Sequence, residues 1–338
     1  MNIPFPKEDF SPIHSLITRS VSTQVMREAV EVKLFDELEI KPCSLEMLAA
    51  HFGFVESKLS AILDLLDAYG LVSKNDGVYS NTPLASEYLV TNAPLYQGLA
   101  MKLTMGFCDG VNSRMDELLK QDGQERGSTD KKWSAADAME GTAQESVGGG
   151  LQKAVESVCN LPEFEKFKLM ADLGGNHGNY TMSILSRNPE MKGIILDLPH
   201  VVKISEERCS RMGYGERVKG MALDMREDEL PLKNFDLLFA SHVLYACQEN
   251  IQPLLHKIAN SLRPGGWLAS HHYARTGSAL SRETIASLEV ITKLSGYFSH
   301  FIEPEFLEQE LAACGFGNFK RYETDSAKGI MLVLAQKL

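Results

Sequence analysis

The chain has 338 residues, 44% of them hydrophobic and 23% charged, the balance of a globular protein long enough for two domains and a sizeable core. Its formal charge of −11 argues against nonspecific binding to nucleic acid, a polyanion, and no apolar run approaches the roughly 20 residues that span a bilayer. Six scattered cysteines form no CxxC pair, and MNIPFPKEDF has neither a basic nor an apolar leader region, so we expect a cytoplasmic protein.

Residues 14–37 carry apolar positions at helical spacing, among them Leu16, Ile17, Val21, Val25, Ala29, Leu34 and Phe35. Ser44 is placed to cap a short helix, and a further helix follows over Ser57 to Tyr69. Leu71 to Ser80 reads as strand, Asn-Asp-Gly turn, strand. Three helices and a hairpin in this order predict a winged helix. Such modules often bind DNA, but ESKLSAILDLLDAYG holds one lysine against three acids and an apolar stripe. That composition suits packing against another subunit or domain better than facing phosphates.

Residues 85–120 read as helical, rich in methionine and aromatics that serve a core or wall an apolar pocket. Lys120 to Lys132 reads as a polar surface loop, and 133–160 as helix interrupted by Gly148-Gly149-Gly150. From 168 onward strands alternate with helices, which predicts a parallel sheet covered on both faces: strands at 168–173, 193–197, 217–222, 235–240 and 266–271. Two closing strands, Asn318 to Thr324 and Gly329 to Gln336, read as a terminal hairpin.

The most informative stretch is Leu169-Met170-Ala171-Asp172-Leu173-Gly174-Gly175-Asn176-His177-Gly178. It reads as a strand, a tight turn where a ligand can press on bare backbone, and a helix N-terminus with free N–H groups. The second strand ends in Asp197, at the position where an acid accepts both hydroxyls of a ribose. Asp224 follows the third, with Met225 beside it to cover an adenine ring. Singly, such acids read as capping or solvated residues. In register with the glycine turn they point to a nucleoside-bearing cofactor at the carboxyl edge of the sheet. The fourth and fifth strands deliver His242, Tyr245 and the His271–His272 pair to the same edge.

ADLGGNHG, LDLPHVV (196–202), ALDM (222–225), NFDLLFASHVLYACQEN (234–250), LRPGGWL (262–268) and EVKLFDEL (31–38) before the winged helix together resemble one family. The chain is similar to class I S-adenosylmethionine-dependent methyltransferases of the caffeic acid O-methyltransferase type, over nearly its whole length. The resemblance implies an α/β, Rossmann-like catalytic domain over 161–338, a mostly helical winged-helix dimerisation domain over 1–100, and a helical linker and substrate-pocket region over 101–160. It implies a homodimer joined through the N-terminal domain, S-adenosylmethionine as cofactor, and a small, largely apolar or aromatic methyl acceptor, with neither nucleic acid nor membrane as partner. Asp172, Gly174, Gly175, Asp197, Leu198, Asp224, Met225 and Ser241 are its implied cofactor contacts; Ser241 stands where the family often has a lysine or arginine.

Two departures bear on chemistry. Asn176 replaces the third glycine of the turn, a change the left-handed region tolerates in asparagine. The family's catalytic histidine is replaced by Tyr245, as in the carotenoid and bacteriochlorophyll branch, and a phenol of ordinary pKa about 10 is a poor base at neutral pH. The catalytic candidates are therefore Tyr245, His242 and His300. His242 reads equally as a core histidine bonded to backbone, and the histidine spacing supports no metal site. Oxygen and carbon methylation both stay open. Two rivals remain: a cofactor-binding relative doing non-methylating chemistry, and a winged-helix DNA regulator.

Overall fold

The computed structural model describes residues 3–121, 135–275 and 278–338, and the chain divides into two compact units, Met1–Lys102 and Leu103–Leu338. Most of the polar stretch from Lys120 to Lys132 lies outside the described residues. Among the described residues no helix is long and apolar enough to cross a membrane.

In the first unit the helical pattern over 14–37 becomes two helices, Ser11–Glu31 and Leu34–Ile40, because Lys33 turns left-handed at φ 60° between them. Four helices, rather than the expected three, thus precede the hairpin. The Ser44 hydroxyl caps Leu45–Phe52 by accepting the Met47 N–H at 3.3 Å. Helix Glu56–Ala68 leads to strands β2 (Val72–Asn75) and β3 (Val78–Asn81), which join the earlier β1 (Cys43–Ser44) in an antiparallel sheet of order β1-β3-β2. Asp76 and Gly77 take the two positive φ values that a tight hairpin turn demands. Leu34, Phe35, Leu48, Leu59, Leu63, Leu66 and Tyr79 fill its core. The expected continuous helicity over 85–120 is broken: Pro83–Tyr88 and Gly98–Asn112 are separate helices. Pro94 in the gap forces the preceding residue off helical geometry and removes an N–H.

The second unit holds a seven-stranded sheet in the order β6-β5-β4-β7-β8-β10-β9. Its strands are β4 (Leu169–Leu173), β5 (Lys192–Asp197), β6 (Val218–Ala222), β7 (Phe235–Ser241), β8 (Leu262–Tyr273), β9 (Phe316–Asp325) and β10 (Ile330–Lys337). The first five run parallel; β10 is antiparallel to both β8 and β9. Alternate residues feed two cores. Met170, Leu237, Phe239 and Leu332 face one, with helices Leu151–Cys159 and Asn179–Arg187; Ala171, Leu238, Ala240 and Val333 face the other, with Gln252–Ser261 and Pro304–Ala313. Burial on both faces is why these strands read as unbroken apolar runs. Leu262-Arg263-Pro264-Gly265-Gly266, expected as a turn before the strand, instead lies within β8 as a bulge. The register shifts between Phe235↔Leu262 and Leu237↔Trp267, and Gly265 takes φ 75° there. Strand order reverses between β4 and β7, and the crevice at such a switch point is where open α/β sheets bind ligands.

Candidate active site

One cavity of about 370 Å³ in the second unit is lined by all eleven predicted site residues: Asp172, Gly174, Gly175, Asp197, Leu198, Asp224, Met225, Ser241, His242, Tyr245 and His300. The glycine turn forms its floor. Gly174 sits at φ 67°, and a Cβ there would meet Val243 Cγ2 at 2.6 Å; one on Gly175 would meet the Asp172 carboxyl at 2.8 Å. Only glycine serves at both positions. Asn176 adopts φ 37°, which asparagine accommodates. Asp197 ties β5 to the turn: its carboxylate accepts the Asn176 N–H at 2.9 Å and the Leu198 N–H at 2.7 Å. His177 Nδ1 accepts the Asn179 N–H at 3.0 Å and so caps the helix that follows, while burial and the Arg208 charge push the imidazole down to about 3.

The three acids are not alike. Asp172 is the penultimate residue of β4 and buried, with the Thr181 hydroxyl donating to it at 2.5 Å. Burial pushes its carboxyl up to about 7, opposed by the Thr181 bond and reinforced by the Asp197 charge. Asp224 lies two residues beyond the end of β6 and is already engaged: Arg226 Nε and Nη2 donate to its two oxygens at 2.8 and 2.7 Å, which holds its carboxyl below the usual range. Arg226 also lines the cavity. Its pairing with an acid two residues away is the signal that the sequence reading passed over.

His271 and His272 do not line the cavity, contrary to the expected approach of that pair to the reacting end; strand β8 turns them into buried sites. The Thr324 hydroxyl donates to the Ile330 carbonyl at 3.1 Å, so its 2.9 Å contact with His271 Nε2 requires the proton on that nitrogen. Nδ1 then accepts, from Ser241 Oγ at 3.1 Å and Tyr180 OH at 3.2 Å. Burial and neighbouring His272 push His271 down to about 3, keeping this anchor neutral. His242 takes a left-handed φ of 51°, and its buried Nδ1 finds no partner among the described residues. Burial first, then the other histidines and Lys328, hold it well below 6.5. Burial pushes His300 down to about 4 against the pull of Glu289. The Tyr245 ring lies 5.1 Å from Tyr297 and 5.6 Å from His300; Tyr273 lies 4.6 Å from His242 and 4.5 Å from His300. Tyr245, Tyr273, Tyr297, His242 and His300 thus form an aromatic wall of the cavity.

Helix Ala136–Val147 contributes residues that the sequence reading did not single out. Thr142, Glu145 and Ser146 recur at helical spacing and share the cavity-lining face. Arg208 locks this helix to the turn, bonding Glu140 at 2.9 Å and the His177 carbonyl at 2.7 Å, and Asn179 Nδ2 donates to Ser146 Oγ at 3.0 Å.

The site fits an adenosyl-bearing cation: bare backbone at the turn, a strand-end acid beside it, an apolar slot by Leu198 and Met225, and further carboxyls at that end. Comparisons with known proteins agree. The O-methyltransferase domain model matches residues 135–292, and the O-methyltransferase dimerisation domain model matches residues 14–91. Over 249 residues, 72% of each protein, the chain is 24% identical to bacteriochlorophyllide d C-20 methyltransferase of Chlorobaculum tepidum. It is 25% identical over 256 residues to 3-hydroxy-5-methyl-1-naphthoate 3-O-methyltransferase of Streptomyces sahachiroi, covering 74% of this chain and 73% of that one. Its fold superposes on human N-acetylserotonin methyltransferase, solved in complex with SAM, with a TM-score of 0.77 at 20% identity over 99% of both chains. The chain belongs to the O-methyltransferase family and is an S-adenosylmethionine-dependent methyltransferase carrying that family's dimerisation domain.

Proposed function

We propose that this enzyme methylates a small, largely apolar and aromatic acceptor held against the Tyr245–Tyr297–His300 wall. The observation that carries this reading is the meeting of the turn, the strand-end acids and the aromatic wall in one cavity, whose lining also includes Leu103, Phe107, Leu288 and Ile291. The two relatives above, named for a tetrapyrrole and a naphthoate as substrates, support a flat acceptor.

In this reading Asp197 holds the ribose hydroxyls, Leu198 and Met225 sandwich the adenine, and Asp224, oriented by Arg226, receives the adenine amine. Backbone at Gly174 and Gly175 borders the methionine portion, with Asp172 beneath it, and Ser241 is held in place by His271. S-adenosylmethionine supplies an electrophilic methyl on a sulfonium. The chain's own contribution is alignment: rigid aromatic walls fix the acceptor for in-line attack and exclude water. Tyr245 serves as wall and hydrogen-bonding group. His242 and His300, neutral at physiological pH, offer lone pairs but resist becoming cations in this buried setting.

We further assign residues 1–100 to a winged-helix dimerisation domain, 101–160 to the linker and acceptor-pocket region and 161–338 to cofactor binding. The exposed Ile13, Leu16, Ile17 and Val21 of the first helix suit a homodimer interface, and six cysteines that form no disulfide among the described residues suit the reducing cytoplasm. Incubation with S-adenosylmethionine and a panel of hydroxylated naphthoates and porphyrins tests the activity by mass spectrometry. Products heavier by one CH2, with stoichiometric S-adenosylhomocysteine, are expected; S-adenosylmethionine consumed without methylated product would refute it.

A further inference from the structure

The polar groups on the cavity face of helix Ala136–Val147 differ in how far they are satisfied. Thr142 Oγ1 donates to the Met139 carbonyl at 2.9 Å, and Ser146 Oγ donates to the Ala143 carbonyl at 2.7 Å while accepting from Asn179. Glu145 is different. Among the described residues its carboxylate takes one hydrogen bond, from Tyr273 OH at 3.2 Å, and no ion pair. A half-buried carboxylate with one neutral donor is under-satisfied, and the remaining donors have to come from a ligand or water. Tyr273 also places this carboxylate at the acceptor end of the cavity, because its ring contacts both His242 and His300.

We propose that Glu145 is the acceptor-side anchor and proton acceptor of this enzyme, recognising a hydroxyl group on an aromatic substrate. The proposal rests on the methyl-transfer reading above and narrows it to hydroxylated acceptors. The hydroxyl oxygen forms its bond to the methyl carbon as the methyl–sulfur bond breaks, and the hydroxyl proton passes to a Glu145 oxygen. Sulfonium and carboxylate become thioether and carboxylic acid, so the two charges disappear together. Proton transfer to His242 or His300 would instead create a buried cation, which their surroundings oppose.

The test uses the full-length chain and two probes that differ by one hydroxyl, β-naphthol and naphthalene. Each is titrated by fluorescence with and without S-adenosylhomocysteine. Wild type is expected to bind β-naphthol about tenfold more tightly than naphthalene, the value of one charge-assisted hydrogen bond. Glu145→Leu is expected to abolish that preference while keeping naphthalene binding and S-adenosylhomocysteine affinity near wild type. Equal binding of the two probes by wild type, failure of both to bind, or a preference that survives in Glu145→Leu would each overturn the proposal. A wild type that ignores S-adenosylhomocysteine yet discriminates the probes would instead count against the methyl-donor reading and leave the Glu145 subsite standing.

Discussion

Asp197→Ala separates a structural job of this carboxylate from the ribose-binding job proposed for it. It removes the acceptors of the Asn176 and Leu198 N–H groups, at 2.9 and 2.7 Å, which pin the glycine turn to the end of β5. Charge-assisted bonds of this kind contribute about 1.5–3 kcal/mol each, but Asp197 is half-buried and water replaces part of the loss, so we expect about 2–3 kcal/mol in all. For a unit of this size that lowers Tm by roughly 4–12 °C. In the proposed cofactor site the ribose also loses two acceptors, so S-adenosylhomocysteine is expected to bind about a hundredfold more weakly. Thermal melts with and without ligand tell these effects apart. At roughly 100 times the wild-type Kd the ligand stabilises wild type by about 2.7 kcal/mol, and the variant by only about 0.4 kcal/mol. Asp197→Asn, which keeps one acceptor oxygen, falls between. If S-adenosylhomocysteine raised the Tm of Asp197→Ala as much as that of wild type, the ribose assignment would be wrong.

Thr324→Val deprives His271 Nε2–H of its acceptor and leaves a buried donor unpaired; urea denaturation should show a loss of about 1–3 kcal/mol, and an unchanged midpoint would refute the tautomer derived above. Acid should destabilise the fold. His177, His242, His271, His272 and His300 are all held below 6.5, chiefly by burial, so the unfolded chain binds more protons; their contribution is full above about pH 6.5 and lost as pH falls, toward 3–4 for His177, His271, His272 and His300. Asp172, raised to about 7, opposes them between about pH 4 and 7, since its folded form holds a proton that the unfolded form releases. Five groups outweigh one, so the urea midpoint should be lower at pH 5 than at pH 7.5; a flat or rising profile would count against the buried, neutral histidines. Glutamate at both Leu16 and Ile17, exposed on the first helix, should halve the mass seen by light scattering without changing S-adenosylhomocysteine affinity. A wild type already monomeric would remove the dimer proposal.

The strands, the glycine turn and the acids at the sheet edge were legible for local reasons. Strands buried on both faces require continuous apolar runs, a strand-to-helix turn against a ligand requires glycine, and an acid at a strand tip needs no long-range partner to be recognised. The misreadings share a cause as well. Pro94 and Lys33 break helices whose apolar spacing runs on across the break, because periodicity reports which face is buried and not whether the backbone is continuous. LRPGG carries turn residues, yet a bulge uses the same glycine conformation inside a strand.

Amino-acid order by itself determined a Rossmann-like layer, its glycine turn, the family and the acids at its edge, because each is written within a few consecutive residues. Only the tertiary structure decided what those groups do with their charges and protons. It sank His271 onto Thr324 from a strand 53 positions away, and turned Glu145 toward Tyr273 across 128 positions. Burial and hydrogen bonding between distant segments set protonation, and neither is visible until the chain has closed on itself.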